Sequence, residues 1–203
     1  MDLHTWLIYL LAATGLSLSP GPNGLLALTH GVMHGPRRTL FTILGGALGF
    51  VIVIAGSMFG IGALLKSSLT WLIVMKWLGG AYLVWLGLQV WRSPPIGVEL
   101  SAKAQPARGV QMFRQGLLSA VTNPKGLLFF AAFLPQFIDP QRSLWLQFAI
   151  MAGSFALVEI ATECLIAGMA HRISPWLKRS GRRFNQGCGA VFIAIGAALP
   201  ARS

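Results

Sequence analysis

Six apolar segments, joined by short polar links, follow one another along the chain. A helix needs about 20 mainly apolar residues to cross the hydrocarbon core of a bilayer, and most of these segments have that length. The pattern therefore predicts an all-α, polytopic membrane protein with about six transmembrane helices. The predicted spans are residues 3–28, 39–65, 69–91, 115–138, 143–169 and 184–199.

Two predicted spans contain a polar interruption with proline. Span 1 carries SPGPN at residues 19–23, and span 4 carries TNPK at residues 122–125, at a similar distance into the span. Proline removes a backbone donor, and unsatisfied backbone groups are costly in hydrocarbon, so a broken helix must face protein, water or a ligand. Each break alone could be a kink that serves only packing. Two matched breaks, each with an adjacent Asn, favour a binding site.

The chain is predicted to be a single transmembrane domain, residues 1–203, with two halves at about 1–92 and 114–203 joined by a polar, proline-containing loop at 93–113. Because each half has three spans, a repeat would be inserted upside down, and inverted repeats are a transporter architecture. Two broken helices would offer half-helix N-termini for a carboxylate and exposed carbonyls for an ammonium group. The pattern favours a carrier, with a zwitterion as a fitting solute.

Composition excludes a soluble domain. Hydrophobic residues make up 55% of the chain, charged residues only 10%, and the mean hydropathy is +0.67, whereas soluble domains carry roughly a quarter charged residues. The net charge of +11 could suggest nucleic-acid binding, but Lys and Arg lie between the apolar segments and do not form one basic face. Their distribution indicates membrane topology, and no nucleic-acid partner is expected.

Basic residues are concentrated in alternate links. Cytoplasmic loops of membrane proteins carry an excess of Lys and Arg, so the links after spans 1, 3 and 5 are predicted to be cytoplasmic and both termini to lie on the outer side. The opposite side holds only Lys66, Arg142 and Arg202. Eleven of the sixteen Lys and Arg lie in the predicted cytoplasmic links: Arg37, Arg38, Arg92, Lys103, Arg108, Arg114, Arg172, Lys178, Arg179, Arg182 and Arg183.

Glu159 and Glu163 lie inside predicted span 5, four residues apart and therefore on one helix face. A carboxylate near the bilayer centre costs roughly 2.5–3.5 kcal/mol on insertion scales, so it must face a cavity or a partner. Burial favours the protonated form, which would let these groups take up and release protons and couple export to a proton gradient. The alternative is a structural role, either a hydrogen bond to a neighbouring helix or a pair with Lys76 or Lys125.

Several motifs across nearly the whole chain resemble the LysE/RhtB family of amino-acid exporters. They are SPGPN at 19–23, His30-Gly31 to Gly35, Gly45 with Gly49, KWLGGAYL at 76–83, Leu86-Gly87, FRQG at 113–116, NPKG at 123–126, Phe129-Phe130 and FLPQF at 133–137.

The resemblance implies export of amino acids or close derivatives from the cytoplasm across a bacterial-type inner membrane, energised by the proton gradient. Glu159 and Glu163 do not match a family acidic position. The residues that the resemblance implies for the central pathway are Pro20, Gly21, Pro22, Asn23, Asn123, Pro124 and Lys125.

Other functions were weighed against export. Efflux of a metal cation is the main alternative, although clusters of Cys and Met are missing. His30 and His34 have helical spacing, but HGVMH lacks the Glu of HExxH, which favours loop histidines over metal ligands. The sequence has neither GxSxG nor HExxH, so no enzyme and no cofactor are expected. A non-transporting structural subunit would not explain intramembrane Lys and Glu beside two breaks. The sequence allows a homo-oligomer as well as a monomer.

Two glycine pairs in predicted span 2, Gly45/Gly49 and Gly56/Gly60, have the GxxxG spacing. Small residues at this spacing let two membrane helices approach closely. Both pairs are therefore predicted to be helix-packing surfaces.

Overall fold

A computed structural model describes residues 1–19, 21–65, 69–92, 108–139 and 141–198. Within these ranges all regular secondary structure is helical, as predicted. The α-helices are α1 (Leu3–Leu18), α2 (Pro22–His34), α3 (Pro36–Leu65), α4 (Leu69–Arg92), α5 (Gly109–Val121), α6 (Pro124–Phe133), α7 (Leu144–Gly168) and α8 (Ala170–Ala198), and a short 3-10 helix (Leu134–Gln136) follows α6.

Both predicted interruptions are helix breaks. The break in span 1 separates α1 from α2, and the break in span 4 separates α5 from α6 with a bend of 49°. Pro22 and Pro124 each begin the second half-helix, where the missing N–H of proline is not needed. Asn123 caps α6, because its side-chain oxygen accepts a hydrogen bond from the Lys125 N–H at 3.1 Å. Pro20 lies outside the described residues.

The apolar helices are those of a multi-pass membrane protein. Among the described residues, Pro36–Gly60 in α3 and Leu144–Gly168 in α7 are each long and apolar enough to cross a bilayer, and the bent α5–α6 pair can form a third span. Their exposed surfaces are largely apolar, as expected for contact with lipid: Leu40, Phe41, Leu44, Leu48, Ile52, Trp145, Leu146, Leu157 and Leu165 are all exposed.

Two predicted helix boundaries were wrong. The predicted polar turn at residues 30–38 is much shorter, because α2 continues to His34 and the chain turns at Gly35, whose φ of 76° suits glycine. Residues 109–114, predicted as loop and link, belong to α5, whose first turn is closed by reciprocal hydrogen bonds between Arg108 and Gln111. Hydropathy locates the apolar part of a helix, and both helices extend beyond it.

The basic stretch at 171–183 was also predicted as a link, whereas it forms the first half of α8. α7 ends at Gly168 and α8 begins at Ala170, so Met169 alone separates the two helices. Lys and Arg are good helix formers, and a helix can carry them where it leaves the apolar region. Because the basic stretch was taken for a link, the prediction placed the start of this helix about four turns too late in the sequence.

Close contact between α3 and α5 depends on glycine. A Cβ at Gly49 would lie 2.8 Å from the carbonyl oxygen of Leu117, and a Cβ at Gly45 or Gly116 would collide with the backbone of the facing helix. The prediction for Gly45/Gly49 is thus confirmed. At Gly56 and Gly60, by contrast, a Cβ would meet no atom of the described residues within 4 Å, so no helix in the described part of the chain packs against this pair as predicted. The same spacing becomes a packing surface only where another helix lies alongside.

An aromatic core joins α1, α3, α6 and α7. Phe130 and Phe155 have ring centroids 4.9 Å apart, and Phe133 and Phe137 have ring centroids 4.4 Å apart. Tyr9 is fully buried, and its hydroxyl donates a hydrogen bond of 2.8 Å to the Met151 carbonyl oxygen. This core fixes the two half-helices α1 and α6 against α7, and so determines what the ends of those half-helices face.

Candidate functional site

The two helix breaks face each other across one small cavity. Its free space is about 270 Å³ including its open mouth. Gly21 and Gly126 line it at the breaks, and the Phe50 and Phe155 rings form part of its apolar wall. Its polar side chains come from both halves of the chain: Ser17, Ser19, Asn23, Asn123, Lys125 and Glu159.

Lys125 reaches from the second break to the first. Its Nζ donates hydrogen bonds to the carbonyl oxygens of Leu16 at 3.1 Å and Ser19 at 2.7 Å. In a continuous helix the Leu16 carbonyl would accept from the N–H of residue 20, but proline has none. The ammonium group therefore supplies donors that the backbone at the end of α1 lacks.

Asn23 links the first turn of α2 to the two glutamates on α7. Its Nδ2 lies 3.0 Å from Glu163 Oε1 and 3.4 Å from Glu159 Oε1. All three side chains are buried, with at most 5% of their surface exposed. Gly46 on α3 leaves room for the amide, since a Cβ at this position would collide with Asn23 Nδ2. Three helices, α2, α3 and α7, are thus involved in placing one amide against two carboxyl groups.

Several buried polar atoms around the cavity have no hydrogen-bond partner among the described residues. They are Ser17 Oγ, Ser19 Oγ, Asn23 Oδ1, Glu159 Oε2 and Glu163 Oε2. Buried polar groups in proteins are nearly always hydrogen-bonded. Water or a polar solute is therefore expected to supply the missing partners, which is what a solute-binding cavity requires.

Neither glutamate forms an ion pair within 4.0 Å in the described part of the chain, where the pair found is Arg142–Asp139 at the surface. Lys125 acts on Glu159 only by longer-range attraction. The predicted alternative of a hydrogen bond to a neighbouring helix does occur, through Asn23. The side chain of Lys76, the other predicted partner, lies outside the described residues.

The structure brings most of the predicted site residues together. Gly21, Asn23, Asn123, Lys125 and Glu159 line the cavity, and Glu163 joins it through Asn23. Among the described residues of the predicted site, Pro22, Pro124 and Glu163 do not line the cavity. The two prolines are exposed and act on the backbone. That these residues bind substrate stays a prediction.

Sequence reasoning missed seven lining residues: Leu16, Ser17, Ser19, Gly24, Phe50, Gly126 and Phe155. Ser19 is the first residue of the first break and Ser17 lies two residues before it, and these positions could have identified both serines. The two phenylalanines resemble any other apolar residue of their spans, so no local signal distinguishes them.

His30 and His34 lie in α2 and not in a loop, which corrects their predicted placement. His30 is buried, and its Nδ1 lies 2.7 Å from Thr42 Oγ1 on α3. The His34 ring contacts the His30 ring with centroids 5.4 Å apart. Within the described ranges, no three His, Cys, Asp or Glu residues are grouped so that they could hold a metal ion.

A bundle of apolar helices with a polar cavity between two broken helices is the arrangement of a membrane transporter. Comparison with known proteins agrees with this class. The sequence profile described as "LysE type translocator" matches residues 14–202. The chain belongs to this family of membrane transporters, as its motifs predicted.

Named relatives cover nearly the whole chain. A homoserine/homoserine lactone efflux protein of Salmonella typhimurium is 36% identical over 203 residues, which are 98% of this chain and 97% of the relative. A leucine efflux protein of Klebsiella pneumoniae is 28% identical over 96% of this chain and 93% of the relative. An uncharacterized membrane protein of Vibrio cholerae is 34% identical over 98% of both chains. No solved structure matches the chain.

Proposed function

We propose that this protein exports amino acids or close derivatives from the cytoplasm across the cell inner membrane, and that the cavity between the two breaks binds them. The observation that carries the proposal is the meeting of Lys125 with the free carbonyl oxygens of Leu16 and Ser19. One small cavity then holds a cation, carbonyl acceptors and a buried carboxyl group, Glu159. The carbonyl oxygens and the Glu159 carboxyl group complement the ammonium group that amino acids carry.

The names of the relatives support this substrate class. They are efflux proteins for homoserine and homoserine lactone in one case and for leucine in another. Homoserine and leucine differ in their side chains, while the lactone is a cyclic ester without a free carboxylate. The α-ammonium group is the part that these three molecules share.

Six spans in two inverted halves remain our proposal for the architecture. In such an arrangement α4 would be equivalent to α8, and α3 to α7. Extensive contacts within both pairs support it, because equivalent helices often meet at a two-fold axis. Gly87 on α4 and Gly189 on α8 each face the other's carbonyl oxygen, at 2.7 and 2.5 Å from the Cβ positions. The cavity would lie where the two broken helices cross.

Proton coupling through Glu159 and Glu163 is the second part of the proposal. Both carboxyl groups contact the same amide, and they interact with each other. Two adjacent carboxylates repel each other when both are ionised, so such a pair binds and releases a proton as a unit. Glu159 also faces the cavity. Substrate and proton could therefore affect each other's binding at this carboxyl group.

The test is efflux of labelled homoserine and leucine from preloaded right-side-out membrane vesicles, with and without an acidic external medium. We expect the external protons to accelerate wild-type efflux several-fold. Glu159→Gln and Glu163→Gln should lose this acceleration, while Asp139→Asn, which alters a surface carboxylate paired with Arg142, should keep it.

Two results would count against the proposal. Absence of amino-acid efflux by the wild type would refute the export function. Acceleration by protons that persists in both glutamate variants would refute the coupling role and leave the export function standing.

A further inference from the structure

We propose that the Lys125 ammonium group occupies the position that the substrate's own ammonium group takes during transport, so that the substrate is recognised by its ammonium group and needs no carboxylate. This inference rests on the proposed export function. It identifies the ammonium end of the substrate as the end that the cavity selects. Lys125 would then compete with the substrate's ammonium group for the same oxygen atoms.

The first argument is the chemistry around Lys125 Nζ. Its two hydrogen-bond partners, the carbonyl oxygens of Leu16 and Ser19, are neutral acceptors freed by the break in span 1. An alkylammonium group has three donors, and the two bonds leave one for a further acceptor. An amino-acid ammonium group carries the same three donors and the same charge, so it can satisfy the same oxygens.

The second argument is the character of the rest of the cavity. Beside the two carbonyls lie Glu159 Oε2 and the hydroxyl oxygens of Ser17 and Ser19, none of which has a partner among the described residues. All of them can accept hydrogen bonds from a cation. The cationic side chain lining the cavity is Lys125 itself. The cavity therefore offers an ammonium group two carbonyl oxygens, a carboxyl oxygen and two hydroxyl oxygens as acceptors.

The third argument is that Lys125 can be displaced. No carboxylate lies within 4.0 Å of its Nζ in the described part of the chain, so the bonds that hold it are made to two carbonyls that an incoming ammonium can take over. The lysine chain is long and flexible. Gly21 leaves room for the lysine in its observed position, since a Cβ there would lie 3.0 Å from Nζ and 3.2 Å from Cε. Departure of Lys125 would also remove the hydrogen bonds that join the second helix break to the first.

The first experiment uses the wild type and two matched competitors of labelled homoserine efflux. Homoserine lactone has the ammonium group without the carboxylate, and N-acetyl-homoserine has the carboxylate without the ammonium group. At tenfold excess in the vesicle lumen, we expect the lactone to reduce labelled efflux several-fold and the N-acetyl compound to leave it unchanged. Equal inhibition by both compounds would overturn the inference while leaving amino-acid export established.

A second experiment does not depend on transport. Lys125→Ala frees the two carbonyls and leaves space, so n-propylammonium should bind there and raise the Tm of the purified variant by a few degrees, because a ligand of the folded state stabilises it. Wild type and Lys125→Met, in which the chain length is retained, should show no such shift, and propionate should have no effect on any of them.

An equal shift in wild type and Lys125→Ala, or no shift in Lys125→Ala, would contradict a vacated ammonium site. A shift confined to Lys125→Ala, together with no amino-acid efflux by the wild type, would support the ammonium site and refute the proposed function. The two failures are therefore distinguishable.

Discussion

Asn23 and Glu163 are 140 positions apart in the sequence, and the Asn23 Nδ2 atom lies 3.0 Å from Glu163 Oε1. The contact places the first turn of α2, directly after a helix break, against the C-terminal half of α7. The amide can donate to both glutamates, so any change in their protonation is felt at the break. This connection makes Asn23 the natural link between the carboxyl pair and the cavity.

Asn23→Asp tests that link, since it replaces a donor amide by a third carboxyl group of nearly the same shape. At neutral pH we expect export to fall more than tenfold, because three carboxyl groups would face one another without a donor. In acid solution the new carboxyl is protonated and can donate, so part of the activity should return. The measurement is efflux between pH 5 and 8, and wild-type efflux from Asn23→Asp at neutral pH would contradict the role of the amide.

Gly46→Ala tests whether the position of the Asn23 amide depends on the space that Gly46, without a side chain, leaves on α3. The new methyl group would collide with the Asn23 amide, so we expect the amide to be displaced from the glutamates and export to fall several-fold. Gly56→Ala is the matched control on the same helix, because a Cβ there would meet none of the described residues within 4 Å. It should retain wild-type efflux and gain slightly in helix stability. Equal efflux by the two variants would contradict the prediction.

Asn123 both caps α6 and lines the cavity, and a comparison of Asn123→Ala with Ser143→Ala separates these two roles. Asn123 accepts a hydrogen bond from the Lys125 N–H and also lines the cavity. Ser143 caps α7 by accepting a hydrogen bond from the Leu146 N–H at 3.4 Å, and it lies outside the cavity. Loss of either cap should cost about 1 kcal/mol of stability. Only Asn123→Ala should raise the substrate concentration for half-maximal efflux.

Both caps are compared by thermal unfolding in detergent and by efflux at varied internal substrate concentration. If Ser143→Ala raised the half-maximal concentration as much as Asn123→Ala, the effect would come from helix stability alone, and the binding role of Asn123 would be lost.

We expect replacement of tyrosine by phenylalanine to affect stability differently at Tyr9 and at Tyr82. The Tyr9 hydroxyl donates to the Met151 carbonyl oxygen at 2.8 Å, so Tyr9→Phe should destabilise the protein by about 1 kcal/mol. The Tyr82 hydroxyl is buried without a hydrogen-bond partner among the described residues, so Tyr82→Phe should leave stability unchanged or raise it. Thermal unfolding of both variants checks this, and equal losses in Tm would contradict it.

Local signals in the sequence located the features that depend on backbone chemistry. Pro22 and Pro124 mark the starts of α2 and α6 because proline has no N–H and a fixed φ. The spacing of Glu159 and Glu163 put both carboxyl groups on one face of α7. Boundaries failed where polar residues continue a helix, as in the first half of α8, because hydropathy does not distinguish a polar helix from a polar link.

The sequence by itself determined the class of protein, the helical segments, the two breaks and the family, because these follow from hydropathy, proline and contiguous motifs. Only the tertiary structure decided which surfaces meet. Gly45 and Gly56 head identical GxxxG patterns, yet among the described helices only Gly45 has another helix packed against it. Lys125 could have paired with a glutamate and instead donates to the Leu16 and Ser19 carbonyls. Such choices depend on which helices lie side by side, a long-range arrangement that no local pattern of residues encodes.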